Sequence, residues 1–367
     1  MNQRIYLRST GDGVTLAWAE AGTGTPLVKA SNWLTHLEYD WESPVWRHWT
    51  RFFARNFRFV RYDERGCGMT DWEVGDLTFP RWVEDLEAVV AAARLDRPFV
   101  LLGVSQGAAT AVAYAARHPE QVSHLILYGG YALGAKKRGD PESAQLYEVI
   151  QNAARLGWGS DNSAFRQLFT ARFIPEGTEE QIRWFNELCA KSTGPEIAAK
   201  LFAVRARVDV CELLPQLCVP TLVLHASRDE VVPLAEGKRL ASGIPDAVFM
   251  QLDSRNHILL EHEPAWQKFQ HAVREFTGSH PLPPEPEETS LEGLTQRERE
   301  ALALLCDGCS NAQIAWQLHI AEKTVRNHIS RLYSKLGVHS RAQAIVFAHR
   351  HRLHDRSDHF SLHSPVT

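Results

Sequence analysis

PFVLLGVSQGAATAVAYAARHPE runs from Pro98 to Glu120. Phe99 to Val104 is continuously apolar, the pattern of a strand covered by helices on both faces of a parallel sheet. Gly103-Val104-Ser105-Gln106-Gly107 then turns the chain, and an alanine-rich helical stretch runs from Gln106 to His118. Strand, G-x-S-x-G turn and helix together place a serine hydroxyl on a sharp corner, where larger neighbours would clash. The helix beyond aims its N-terminal dipole at that oxygen. Ser105 is therefore the candidate nucleophile.

Outward from this corner the chain alternates strands and helices. Strand-like runs are Val14–Ala19, Pro26–Ala30, Phe57–Tyr62, His124–Tyr128, Thr221–His225 and Val248–Leu252, with helical patterns at Trp82–Leu95 and Pro264–Phe276. Such a rhythm predicts an α/β fold with a mostly parallel sheet and helices on both faces. From about residue 132 to 209 the pattern is helical only, which reads as a helical cap inserted over the sheet. Asp229 follows the strand Thr221–His225, and His257 follows Val248–Leu252. The order serine, acid, histidine, each after a strand, is that of a catalytic triad built at the carboxyl ends of strands. Ser105 would attack, His257 would take its proton and Asp229 would hold the imidazole tautomer. His262 is a rival base and Asp253 a rival acid, both in poorer positions after the strand. Most of the tryptophans read as packing residues, while Trp33 reads as a pocket residue.

With these residues in hand, the body resembles an α/β-hydrolase over nearly its whole length. Asp63-Glu64-Arg65-Gly66-Cys67-Gly68 matches the D-x-R-G-x-G turn common among esterase-like and C–C-hydrolase-like members. One departure stands out. Where the family has His-Gly after the strand that supplies half the oxyanion hole, this chain has Ser31-Asn32-Trp33. By position the backbone N–H groups of Trp33 and Gln106 would hold the oxyanion. Without the glycine the Trp33 donor is expected to be less well placed, and losing one such donor costs on the order of 10²–10³ in rate.

Residues 278–289 read GSHPLPPEPEET, with four prolines and three glutamates and no periodicity, as a semi-rigid linker does. It divides the chain into a body, 1–277, and a helix-turn-helix region, 290–355, followed by a tail at 356–367. The net charge of −4 is unevenly spread. Between Ala321 and Arg352 seven basic residues face Glu322 alone, or +6, which leaves −10 for the rest. A basic end on an acidic body is the footprint of a nucleic-acid-binding module.

Four short helices are predicted in the basic end. Thr295-x-x-Glu298, Ser310-x-x-Gln313 and Ser340-x-x-Gln343 are capping boxes, and Gly337 closes the third helix. In that helix Val325, Ile329, Leu332 and Leu336 form a buried stripe, opposite Arg326, Asn327, Ser330, Arg331 and Ser334. This region resembles a LuxR-type (GerE/NarL-like) helix-turn-helix over all of its roughly 60 residues, through LTQREREAL, SNAQIAWQL and EKTVRNHISRLYSKLGVHSRAQA. The resemblance implies a helix-turn-helix from Asn311 to Ser330 with the helix from Glu322 as reader. Arg326, Asn327 and Ser330 would face bases; Lys323, Thr324, Arg331 and Lys335 would face phosphates. Ala321 stands where the family has a serine cap, and Ala312-Gln313 replaces a common Lys-Glu pair.

Composition agrees with a folded protein: 44% of residues are hydrophobic and 23% charged, which argues against wholesale disorder. No apolar run of about 18 residues suggests a membrane span. Six cysteines without framework spacing point to thiols in a reducing cytoplasm. Cys306-Asp307-Gly308-Cys309 lacks the second ligand pair of a structural zinc site, so neither metal nor cofactor is expected. The parts together predict a DNA-binding transcriptional regulator, acting as a homodimer on double-stranded operator DNA. Its hydrolase-like body would bind, and could slowly hydrolyse, a small, partly apolar acyl, lactone or carbonyl ligand. The rival is a plain ester, lactone or C–C hydrolase with a DNA-binding tail that tethers or regulates it.

Overall fold

The computed structural model describes residues 2–158, 164–279, 294–336, 338 and 340–350. Most of the Pro/Glu linker, Gly337 and the tail at 356–367 lie outside the described residues. The chain divides into two compact units, Met1–Leu282 and Pro283–Thr367.

The first unit is built on an eight-stranded sheet: β1 (Arg4–Ser9), β2 (Thr15–Ala21), β3 (Pro26–Ala30), β4 (Arg58–Tyr62), β5 (Phe99–Val104), β6 (Val122–Tyr128), β7 (Thr221–Ala226) and β8 (Val248–Leu252). The spatial order is β1-β2-β4-β3-β5-β6-β7-β8. Strands β3 to β8 run parallel, and β2 pairs antiparallel with both β1 and β4. The strands β5 and β7 are largely apolar and buried along their whole length, because helices cover both faces of the sheet. β1 escapes the sequence pattern because it is an edge strand, mostly exposed, whose Arg4, Arg8 and Ser9 carry no apolar alternation.

On one face the helices Arg47–Asn56 and Pro264–Thr277 close over the sheet through aromatic contacts. Trp49 lies 4.7 Å from Phe269 and 5.2 Å from Tyr128, and Trp266 stacks on Phe269 at 5.3 Å. A buried ring of this size contributes about 1.5–3 kcal/mol, so this corner anchors the strands whose ends carry the site. Between β6 and β7 the helices Pro141–Gly157, Ala164–Phe173, Glu179–Ser192 and Pro195–Arg205 form the cap.

In the second unit the described helices are Gln296–Cys306, Asn311–Leu318, Glu322–Leu336 and Arg341–Arg350. Thr295 and Ser310 each complete both halves of a capping box, and Gln343 donates its N–H to the Ser340 hydroxyl at 3.2 Å. Val325, Ile329, Leu332 and Leu336 pack into one core with Leu302, Leu305 and Ile314. Cys306 and Cys309 border that core as free, half-buried thiols. No helix among the described residues is long and apolar enough to cross a membrane.

Candidate functional site

Ser105 follows β5 directly with a φ of +53°, a left-handed conformation that costs a non-glycine residue of order 1–3 kcal/mol. Its N–H donates to the Tyr128 carbonyl at 2.9 Å, tying the corner to the neighbouring strand. The flanking glycines are steric necessities. A Cβ on Gly103 would lie 2.6 Å from Ala108 Cα, and one on Gly107 would lie 2.9 Å from the Ser31 carbonyl oxygen.

Asp229 and His257 meet in the loops after β7 and β8. Asp229 Oδ1 accepts from the N–H groups of Val231 and Val232 at 2.8 and 2.9 Å. Its Oδ2 accepts from His257 Nδ1 at 2.6 Å, with His225 Nε2 a further 3.7 Å away. Burial pushes the Asp229 carboxyl up, but the charge and hydrogen bond of His257, with His225 and the Val232 amide, hold it below its ordinary value. The His257 backbone is held by Tyr128 Oη, which donates to its carbonyl at 2.9 Å, and by its own N–H, which donates to the Phe173 carbonyl at 2.9 Å; the Phe173 ring lies 5.2 Å from the imidazole in a T-shaped contact. With the proton on Nδ1, Nε2 is an acceptor; it is buried and has no hydrogen-bond partner. Ser105 and His257 line the same cavity. The rivals lie elsewhere: His262 is exposed, and Asp253 is 82% exposed and paired with Arg228.

The loop after β3 holds something the sequence does not display. The Trp33 N–H, one of the two expected oxyanion donors, donates instead to the side-chain Oε1 of Gln106 at 2.7 Å. Gln106 Nε2 in turn donates to the Ser31 carbonyl and to Glu64 Oε1, each at 3.3 Å. Gln106 is buried, so its amide is a built-in plug across the Trp33 donor. Glu64 also takes Arg205 Nη2 at 2.5 Å. Burial drives the Glu64 carboxyl up to about 7 against the opposing charge of Arg205. The rest of the D-x-R-G-x-G turn is scaffold. Arg65 grips Asp85 with two hydrogen bonds, of 2.7 and 2.6 Å, and Asp63 Oδ2 accepts the N–H groups of Leu37 and Met69.

The cavity beneath the cap has an empty volume of about 890 Å³, part of it open to solvent. Its walls are largely apolar, with many aromatic rings. Trp33 stacks on Trp158 at 5.0 Å and meets Phe202 edge-on at 4.3 Å and Phe169 at 5.9 Å. Arg138, Arg172 and Arg205 also line it. Motif reading found none of these arginines, because cap helices carry no fixed spacing relative to the sheet.

In the second unit Lys323, Thr324, Arg326, Asn327, Ser330 and Arg331 are all exposed on the helix Glu322–Leu336. Lys335 is different. Its ammonium is bound to Glu298 at 2.7 Å, and the Glu298 side chain is buried. Glu298 is also the return half of the Thr295 capping box, so Lys335 braces the third helix against the first and is not a free partner for phosphate. The hydrogen bond from Lys335 is the largest cause that lowers the Glu298 carboxyl to about 2. The side chain of Ser334 lies outside the described residues. Thr324 and Val325 donate their N–H groups to the Ala321 carbonyl at 2.8 and 3.2 Å, so Ala321 occupies the cap position.

A family model described as "Serine aminopeptidase, S33" matches residues 47–264, more than half of the chain. The chain belongs to this family. A second model, "Bacterial regulatory proteins, luxR family", matches residues 292–348, and the C-terminal unit is a LuxR-type DNA-binding domain. The "AB hydrolase superfamily protein YisY" of Bacillus subtilis (strain 168) is 26% identical over 284 residues, covering 74% of this chain and 98% of that protein. The "DNA-binding transcriptional activator DevR/DosR" of Mycobacterium tuberculosis is 55% identical over 58 residues, 16% of this chain and 27% of that protein. A solved hydrolase from Pseudomonas aeruginosa PA01 superposes with a TM-score of 0.62 at 26% identity, covering 75% of this chain and 98% of that one. This S33-family member thus joins an α/β-hydrolase body to a LuxR-type DNA-binding unit in one chain.

Proposed function

We propose that the chain is a one-component transcriptional regulator whose hydrolase-like body senses a small, partly apolar acyl, lactone or carbonyl ligand. As a homodimer it sets two LuxR-type readers on a two-fold operator, and ligand binding alters their pairing or spacing. Arg326, Asn327 and Ser330 meet base edges, while Lys323, Thr324 and Arg331 meet phosphates. The observation that carries the sensing role is the Gln106 plug: the Trp33 N–H is already committed at 2.7 Å, so a developing oxyanion finds one of its two donors taken. Ser105, which lines the same cavity as His257, then serves mainly to hydrogen-bond the ligand carbonyl, with turnover slow at best.

The experiment is Ser105→Ala in a reporter strain and in purified protein. Residual cleavage of p-nitrophenyl esters should vanish, because alanine cannot form an acyl-enzyme. The ligand's effect on operator binding should persist, with affinity reduced by one hydrogen bond, about 0.5–1.5 kcal/mol. A reporter deaf to intact ligand yet responsive to its hydrolysis product would overturn sensing in favour of turnover. The enzyme reading keeps one observation on its side, the unpartnered His257 Nε2 beside the cavity that Ser105 lines. Enzyme-like rates on short p-nitrophenyl esters by the unmodified protein would establish it.

A further inference from the structure

Arg205 is 4% exposed, yet only its Nη2 has an acceptor, Glu64 at 2.5 Å. Its Nε and Nη1 are buried without a hydrogen-bond partner. The faces of the guanidinium are occupied, with Trp33 4.5 Å and Trp82 5.6 Å from its centre; the unsatisfied groups are the N–H bonds in its plane. A buried charged donor left unpaired is costly unless something arrives to accept from it. Arg205 lines the cavity that holds Ser105 and His257, so that partner can be a ligand.

The neighbouring charges have the same sense. Arg138 Nε donates to the Leu133 carbonyl and stands 4.0 Å from Glu236, which is closer to Arg239 at 3.1 Å. Arg172 donates to the Glu230 carbonyl, and among the described residues no carboxylate lies within ion-pair distance of it. Arg205, Arg138 and Arg172 line the cavity together with Tyr147, and all three act on the Tyr147 hydroxyl, which burial raises to about 12 against their combined pull. The acids facing them each have a partner already: Glu64 is bound to Arg205, Asp229 to His257, Glu236 to Arg239 and Glu230 to Arg255.

We propose that this end of the cavity is a carboxylate subsite, and that the ligand is an apolar, aromatic or acyl molecule bearing one carboxylate received by Arg205 Nη1. The Phe169, Phe202 and Trp33 rings take its apolar part. An arginine plane suits a carboxylate, and a charge-assisted bond in a water-poor cavity is among the stronger polar contacts available. The proposal rests on the reading of the body as a ligand-binding unit and names the class of ligand.

Calorimetry on the full chain with hydrocinnamate and hydrocinnamamide, which differ in charge and little in shape, tests it without substitution. The acid should bind at least about tenfold tighter than the amide, the effect of one charge-assisted hydrogen bond. Equal affinities, or no binding by either, overturn the subsite. Arg205→Met combined with Glu64→Gln removes the ion pair as a unit and avoids stranding a buried carboxylate. It should erase the preference for the acid while the amide binds as before. Arg138→Gln, which leaves that pair intact, should reduce the preference without abolishing it. Operator binding, measured separately, keeps the two readings apart. Acid bound with operator affinity unchanged sinks the regulatory reading and spares the subsite. Amide bound equally well, with operator affinity changed, does the reverse.

Discussion

The two units handle their polar groups in opposite ways. Around Ser105 buried polar side chains are tied to one another: Gln106 to Trp33, Glu64 to Arg205, Asp229 to His257. On the helix Glu322–Leu336 the residues proposed to read DNA are exposed, while Lys335 is drawn into its own domain. A buried site is preorganised, and its state is set by which internal bonds are closed. An exposed face is set by the partner that arrives and by salt. What the body can do therefore depends on side chains one contact away from the motif, whereas the reader's capacity lies in the motif itself.

The largest expected effect breaks one unit and spares the other. Gly103→Ala brings a Cβ to 2.6 Å from Ala108 Cα and 2.8 Å from the Gly107 carbonyl oxygen, backbone atoms with no freedom to retreat. It should destabilise the body by about 2–4 kcal/mol through overpacking and forced backbone shift. In calorimetry of the full chain, one transition should fall and a second, belonging to the DNA-binding unit, should stay. A single transition that moves as a whole would mean that the two units melt together.

Next in size is the reader. Arg326→Ala should cost about 1–3 kcal/mol on the best operator and relax sequence preference. Operator preference left intact in a competition footprint would show that another face of the helix reads the bases. Gln106→Ala tests the plug from the other side. It keeps its own backbone N–H and releases that of Trp33, so ester hydrolysis should rise about tenfold, some 1.4 kcal/mol in barrier. An unchanged or lower rate would show that the amide supports the site instead of closing it.

Much of this arrangement was legible in the sequence. The apolar strand Phe99–Val104, the glycines beside Ser105, the strand ends before Asp229 and His257, and the caps at Thr295 and Ser310 announce themselves by local pattern. β1 was missed because an exposed edge strand has no apolar period to detect. Trp33 was expected to offer its N–H to an oxyanion; its true acceptor is 73 positions away in sequence. Glu64 and Arg205 are separated by 141 positions, and Lys335 and Glu298 by 37. Pairings of that range depend on tertiary packing, and no spacing rule encodes them.

The Lys335–Glu298 tie carries a pH dependence whose sign follows from the lowered carboxyl. Glu298 titrates at about 2 in the folded unit, below its value in an unfolded chain. Its stabilisation is therefore complete above the unfolded pKa, near 4.3, and is lost as pH falls from there towards 2. Lys335 is partly exposed, so solvent weakens the pair. Lys335→Met should flatten the acid limb of the DNA-binding unit's melting curve. An acid limb of unchanged steepness would assign that loss of stability to other carboxylates.

The smallest effect sits at the start of the reading helix. Ala321 holds the cap position, where its carbonyl accepts from Thr324 and Val325 but its methyl satisfies nothing. The first turn of any helix leaves N–H groups without intrahelical partners, and a serine hydroxyl at the cap reaches the third of them. Ala321→Ser should add about 0.5–1 kcal/mol, visible as a rise of a few degrees in the melting of the DNA-binding unit. Because Ala321 is exposed, the hydroxyl displaces no packing and the gain is not offset. Operator affinity should be held or slightly improved, since a firmer first turn fixes Lys323 and Thr324 at lower entropic cost. A melting temperature that stays still or drops would show that the helix begins at another residue. A higher melting temperature with weaker operator binding would show that the unmodified reader uses a loosened first turn to fit its groove.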